Sequence, residues 1–271
     1  PEGMNLWQAA RKAVVMNVSD FAAKGVRPIA MLVSLGIPRS LRQSDFEELG
    51  DGLNAGAREY DAYVIGGDTG EASDLVISLS VFGMARKDKL MLRSGAKPGD
   101  IVAVTGPFGK PPAGLKILVD NFKASREVKK TLVESVLMPH ARLEEGLALS
   151  QTGAISAAID SSDGLAWSLH EIARASKVGV SVSSLPVAKE AARFATINEL
   201  DPLALALYGG EEYELVLTVK PRMWIKAEKA AEKVGGKLVK IGKTTAEKDV
   251  LMETHRKHVL IAPKGYEHFK T

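Results

Sequence analysis

The chain has 271 residues, of which 45% are hydrophobic and 25% charged, with 36 basic against 33 acidic side chains and a net charge of +3. That length carries one large or two medium domains, and so even a charge balance offers no footing for nucleic acid or an anionic membrane. There is no cysteine, which excludes disulfides, thiolate metal sites and a catalytic thiol and suits a cytoplasmic enzyme. No apolar run reaches the roughly 18 residues of a spanning helix, and no signal peptide is visible. Scarce Asn and Gln beside abundant Lys and Glu lean toward a thermophilic source. The chain begins Pro1-Glu2-Gly3, and we expect a segment to precede it.

Leu6 to Ala23 reads as a helix with Trp7, Ala10, Val14 and Phe21 among its apolar positions. It carries Asn17-Val18-Ser19-Asp20 and stops near Gly25. Ile29 to Ile37 is a long apolar strand, expected to be central or covered on both faces. Ser44 to Tyr60 is a second helix. Ala62 to Ile65 is a short strand running into Gly66-Gly67-Asp68-Thr69, and Asp74 to Met84 is another strand. This is an α+β half-domain. The turn-rich basic stretch Arg93-Ser94-Gly95-Ala96-Lys97-Pro98-Gly99-Asp100 sets the domain boundary, giving units 1–96 and 97–271.

Ile101 to Thr105 opens the second unit as a strand. Helices follow around 113–121, 128–137 and 141–151. An apolar run, 154–159, then leads into Asp160-Ser161-Ser162-Asp163-Gly164. Leu165, Leu169, Ile172 and Ala173 fall on one helical face beyond it, to about Ser176. Val178 to Val182 is a strand and Ala188 to Asn198 a helix. Tyr208-Gly209-Gly210-Glu211-Glu212-Tyr213 leads into the strand Glu214 to Val219. Pro221 to Val234 is a helix, with short strands at Leu238 to Ile241 and Asp249 to Met252.

The chemistry concentrates in Asp160-Ser161-Ser162-Asp163-Gly164. A helix N-terminus attracts phosphate, and two carboxylates beside it would repel phosphate unless a cation lies between. A Mg²⁺-nucleotide site accounts for both; a serine N-cap with Asp in the first turn is the plainer alternative. Asp20 and Asp68 are of the same kind, and four aspartates from separated segments suit Mg²⁺ ions bridging a polyphosphate. Taken singly, Asp20 also reads as a solvated helix residue and Asp68 as a turn residue. Gly66-Gly67 lets backbone approach a phosphate or serves an ordinary turn, and Arg93 can grip a phosphate bidentately, though taken singly it reads as a solvated linker charge. There is no P-loop and no G-x-G-x-x-G fingerprint. Glu211, Glu212 and Glu214 would face a cationic partner or guard a strand edge. His140, His170, His255, His258 and His268 lack zinc spacing, and Trp167 and Trp224 read as core.

In this order the segments resemble thiamine-monophosphate kinase, of the superfamily that includes aminoimidazole ribonucleotide synthetase. The matching stretches are Asn17–Gly25, Gly66–Thr69, Arg93–Asp100, Asp160–Leu165 and Gly209–Leu215, over nearly the whole chain. The resemblance implies an α/β (α+β), two-domain aminoimidazole ribonucleotide synthetase-like (PurM-like) fold whose N-terminal sheet pairs across a homodimer. It implies that unit 1–96 serves dimerisation and ATP/Mg²⁺ binding and unit 97–271 is a C-terminal α/β domain. By motif match, Asp20, Asp68, Asp160 and Asp163 correspond to Mg²⁺ ligands, and Gly67, Asp68, Arg93 and Ser162 to ATP contacts. Glu211 corresponds to a thiamine-phosphate contact, and Gly265-Tyr266-Glu267-His268-Phe269 to a closing motif in which Tyr266 would lie by the thiamine rings.

Lys24 departs from a usual Met, Glu212 from a usual Asp, and Gly109-Lys110-Pro111 from a loop otherwise rich in Gly and Ser. The family's first acidic motif would lie before Pro1. The implied reaction is ATP-dependent, Mg²⁺-assisted, in-line phosphorylation of thiamine monophosphate to thiamine diphosphate. No catalytic side chain is required, because the acceptor phosphate is already largely ionised near neutrality. Another ATP-dependent synthase or dehydratase of the superfamily, and a nucleotide-binding regulator without catalysis, remain the alternatives.

Overall fold

The computed structural model describes residues 3–254 and 257–266. Helix α1 (Leu6–Lys24) starts in a capping box in which Asn5 and Gln8 satisfy each other's backbone N–H. Strand β1 (Pro28–Ile37), helix α2 (Gln43–Glu59) and strands β2 (Tyr63–Glu71) and β3 (Val76–Gly83) complete the first part. These strands form a sheet in the order β2-β1-β3, with β1 parallel to β2 and antiparallel to β3.

Two expectations change here. β1 is central, but it is covered on one face only: Met31 and Val33 are buried while Ile29 and Leu32 are more than a third exposed. Gly66-Gly67-Asp68-Thr69 is not a turn. The strand runs straight through it, because β1 supplies ladder partners as far as Glu71. A side chain at Gly67 would put its Cβ 1.8 Å from the Val33 carbonyl oxygen, so only glycine lets the two strands approach there.

The second part contains β4 (Ile101–Val104), α3 (Lys110–Val119), α4 (Arg126–Leu137), α5 (Leu143–Thr152), β5 (Ile155–Asp160) and α6 (Leu165–Ser176). It continues with β6 (Gly179–Val182), α7 (Lys189–Ile197), α8 (Pro202–Tyr208), β7 (Leu215–Val219), α9 (Trp224–Lys233), β8 (Val239–Thr245), β9 (Val250–Glu253) and β10 (His258–Leu260). The periodicity assigns neither α8 nor β10. Both are short, and α8 starts at an Asp201 cap followed by Pro202, a local signal rather than a periodic one. Among the described residues the strands make a mixed sheet in the order β10-β9-β6-β8-β4-β7-β5.

Alternation along the central strands gives this sheet two apolar faces. Ala103, Ala158, Leu215, Leu217 and Val219 join one core with Val14, Val18 and Ala22 of α1, Leu149 of α5 and Ala227 of α9. Val102, Val104, Ile159 and Val216 join another with Leu165, Leu169 and Ile172 of α6. The first core runs without a break from β1 and α2, through α1, to the large sheet. α1 is therefore the element on which both sheets rest, and its last turns end beside the tip of β5.

Candidate functional site

Strand β5 ends at Asp160, whose partner across the antiparallel ladder is Leu215 at the start of β7. The two chains keep pairing beyond the sheet. Ser161 N–H donates to the Glu214 carbonyl at 2.9 Å, Tyr213 N–H to the Ser161 carbonyl at 3.0 Å and Glu211 N–H to the Ser162 carbonyl at 2.6 Å. The other flank of β5 is met by the connector, where Ala158 N–H donates to the Leu92 carbonyl at 2.8 Å. This brings Arg93 alongside Asp160. Tyr266 N–H donates to the Asp163 carbonyl at 2.9 Å, so the C-terminal segment is held against the same loop.

The result is one open cleft of about 220 Å³ lined by Asp20, Arg93, Asp160, Ser162, Asp163, Trp167 and Glu171, among others. Five of the residues picked from the sequence thus meet, from α1, the connector and the β5–α6 loop. Asp160 is buried. It accepts a 2.7 Å hydrogen bond from Ser19 Oγ of α1. Burial first, and then the Asp20 charge, push the Asp160 carboxyl up to about 6, against the opposing pull of the Ser19 hydrogen bond and Arg93.

The loop is not a serine-capped helix start. α6 has Gly164 as its N-cap and no side-chain cap, so Ser162 and Asp163 precede the helix and are free of a capping role. Trp167 is not core: it lies at the cleft wall, three residues after Gly164. The sequence reading missed Trp167 and Glu171 because α6 was judged by its apolar face alone. Ser19 stood inside a quoted motif but had been given no role.

Gly67 and Asp68 do not line this cleft. They lie on β2, every residue of which is exposed, and Asp68 Oδ1 accepts from its neighbour Thr69 N–H at 3.0 Å. Glu211 turns the other way. With φ of 63° it points its carboxylate at Lys12 of α1, Nζ to Oε2 2.7 Å, and lines a second cleft with Lys110, His140 and Arg142. Glu212 and Glu214 are buried at the base of that second cleft, where their carboxylates are held by hydrogen bonds, and they guard no edge. Glu214 accepts from Thr105 Oγ1 at 2.6 Å and from Arg142 at 2.6 and 2.9 Å. Glu212 accepts from Gly109 N–H, and burial holds it well above the ordinary carboxylate range. The strand that follows them, β7, is flanked by β4 and β5 and is no edge.

His140 pairs with Glu59 and His170 with the Ile261 carbonyl. His255, Glu267, His268 and Phe269 lie outside the described residues. Among the described residues no three carboxylate or imidazole groups converge into a preassembled metal cage. Mg²⁺ does not need one. It takes one or two carboxylates and completes its shell with water and substrate phosphate. Hard oxygen donors on Asp20, Asp160 and Asp163 around one cleft, with Asp20 raising Asp160 by repulsion, fit such an ion.

The sequence matches the family model of AIR synthase related protein, N-terminal domain, over residues 2–85 and that of its C-terminal domain over residues 97–253. It is 34% identical over 270 residues to a thiamine-monophosphate kinase of Nitrosopumilus maritimus, covering 100% of this chain and 85% of the relative. Against the thiamine-monophosphate kinase of Pyrococcus abyssi the identity is 36%, over 99% of this chain and 81% of the relative. The solved structure of AaThiL complexed with AMPPCP and TMP superposes with a TM-score of 0.86 at 28% identity, covering 98% of this chain and 82% of that one.

Proposed function

The chain belongs to the thiamine-monophosphate kinases of the AIR synthase related family, and we propose that it transfers the γ-phosphoryl group of ATP to thiamine monophosphate, giving ADP and thiamine diphosphate. The observation that carries this reading is the single cleft lined by Asp20, Arg93, Asp160, Ser162 and Asp163. The AMPPCP and TMP bound by AaThiL supply the matching ligand pair.

Asp20, Asp160 and Asp163 would hold Mg²⁺ in this cleft, and the ion would supply the positive charge that two polyanions need to come together. Arg93 grips phosphate oxygens through its forked donors. Ser162 is exposed at the cleft and offers a hydroxyl to the same oxygens. The acceptor is a phosphate monoester with a second pKa near 6, so its oxygen is an ionised nucleophile at neutral pH. No side chain has to remove a proton. The work of the protein is to align donor and acceptor in line and to exclude mutual repulsion.

We assign the thiamine end of the acceptor to Glu211 and Tyr266. The first offers a carboxylate to the cationic thiazolium, the second a ring for cation–π contact. We assign Gly67 and Asp68 to ATP and Mg²⁺ on their motif. They lie on the open sheet, whose outward Ile29, Leu32, Tyr63, Ile65, Val76 and Phe82 are all more than a third exposed. An apolar face of that kind supports pairing with a second copy of the chain. Residues 1–96 and 97–271 are the two domains of this reading, and the cytoplasm its compartment. Among the described residues no helix is long and apolar enough to cross a membrane. A steady-state assay with ATP, Mg²⁺ and thiamine monophosphate tests the proposal, and formation of ADP without thiamine diphosphate would refute it.

A further inference from the structure

The second cleft, of about 110 Å³, is walled by Pro107, Pro111, Met138 and Pro139, with Glu212 and Glu214 at its base. Most of its charged groups are already paired. Glu214 accepts from Thr105 and twice from Arg142, His140 faces Glu59, and Glu211 is bound to Lys12. Glu212 differs. It is only 9% exposed. Its Oε1 accepts from Gly109 N–H. Its Oε2 has no partner, and no cationic nitrogen comes within 4.0 Å of the carboxyl, among the described residues. The one side-chain polar atom sealed in the interior without a partner among these residues is Ser161 Oγ. Glu212 Oε2 is therefore open, and the space it meets is the cleft that Glu212 lines.

A carboxyl so nearly buried, with one oxygen unused, costs free energy until a partner arrives. That partner is no phosphate: Pro111 and Pro112, in the first turn of α3, have no N–H to offer one. Burial first, and then the Glu214 charge, raise Glu212 above the ordinary range against the pull of Gly109 N–H and Lys110. Its free oxygen thus serves as donor when protonated and as acceptor when ionised. Two oxygens side by side match a flat ring that carries an amino group next to a ring nitrogen. The amine donates to one oxygen, and the ring nitrogen shares a proton with the other. We propose that Glu212 is the residue that reads the aminopyrimidine edge of thiamine monophosphate, with the apolar walls of the second cleft holding the ring. The proposal rests on the kinase reading for the identity of the acceptor. Glu211 lines the same cleft, so the thiazolium assigned to it would lie one methylene bridge from the pyrimidine.

The test titrates the wild-type chain, Glu212→Gln and Glu212→Met calorimetrically with two probes. One is thiamine monophosphate; the other is the phosphate ester of its thiazole half, which has no pyrimidine. Losing the carboxyl weakens thiamine monophosphate by roughly tenfold or more in Glu212→Met, while the thiazole ester binds all three alike. Glu212→Gln keeps one acceptor and one donor and stays near wild type. Equal affinity of Glu212→Met and wild type for thiamine monophosphate overturns the proposal. So does an equal loss for the thiazole ester, which would mark a structural role. The wild-type chain gives a second check that needs no variant to fold: thiamine monophosphate lacking the pyrimidine amino group should bind more weakly, and equal binding overturns the proposal. A wild-type chain that binds thiamine monophosphate but forms no thiamine diphosphate sinks the kinase reading and leaves Glu212 to be judged by these affinities.

Discussion

Ser19 Oγ donates to Asp160 Oδ2 at 2.7 Å, joining the last turns of α1 to the tip of β5. The bond is buried and charge-assisted, and it is the foremost of the influences, Arg93 among them, that oppose the upward pull of burial and Asp20 on Asp160. Ser19→Ala removes a contact worth about 1.5–3 kcal/mol. It also lets Asp160 titrate at still higher pH. The acid limb of the kcat/KM profile should therefore move to higher pH, with a lower midpoint in urea. An unmoved acid limb would mean that Asp160 does not govern it.

Asp160 makes metal-free stability depend on pH. Its folded value, about 6, lies above the ordinary 3.8, so between these values the folded chain binds a proton that the unfolded chain releases. Stability then falls as pH rises through this window, and the full cost, on the order of 3 kcal/mol, applies above it. Asp160→Asn abolishes the cost. In chelator at pH 8 the variant should melt above wild type, with the difference shrinking toward pH 4. A variant that melts no higher at pH 8 contradicts this account of the cluster.

Asp163 lies before α6, not in its first turn, so its substitution spares the helix. Asp163→Asn should keep the far-UV spectrum and melting behaviour of wild type. It should lose turnover by more than the ~10–100-fold typical of an outer-shell partner of a metal. Near-normal turnover would remove Asp163 from the metal ligands.

Glu211 is held toward its cleft by Lys12, which is nearly buried and also bonds the Val136 carbonyl at 3.2 Å. Glu211→Gln should raise KM for thiamine monophosphate with little effect on KM for ATP. Lys12→Met should raise the same KM while leaving Glu211 chemically intact, because the carboxylate loses its anchor. A rise in KM for ATP alone in either variant would place Glu211 at the wrong substrate.

Glu214 is a structural residue by the same test. Glu214→Gln takes the charge from a buried carboxylate that accepts from Thr105 and twice from Arg142, and leaves the partly exposed Arg142 with Glu145 as its remaining carboxylate. Thermal unfolding should shift down sharply, while KM for both substrates stays near wild type in the protein that remains folded.

Much of the site was legible in the sequence because its residues fall in short, ordered motifs next to apolar strands and helices. Asp20, Arg93, Asp160, Ser162 and Asp163 were all picked this way, and they meet. What local pattern could not carry was partnership across the chain. Lys12 with Glu211 and Arg142 with Glu214 are separated by 199 and 72 positions, and Glu212 and Glu214 are buried where the segment ahead of β7 pairs with the distant β5–α6 loop. Likewise Gly66–Thr69 has the composition of a turn, but its pairing with β1 overrides that local preference. Trp167 carried a core-like identity on a helix whose apolar face was already full.

The central claim is that the acidic cleft serves phosphoryl transfer onto a phosphate. The most direct measurement follows ADP and thiamine diphosphate together after mixing the chain with ATP, Mg²⁺ and thiamine monophosphate. The account predicts one thiamine diphosphate per ADP, with none when AMPPCP replaces ATP. ADP released with the thiamine monophosphate unchanged would contradict it.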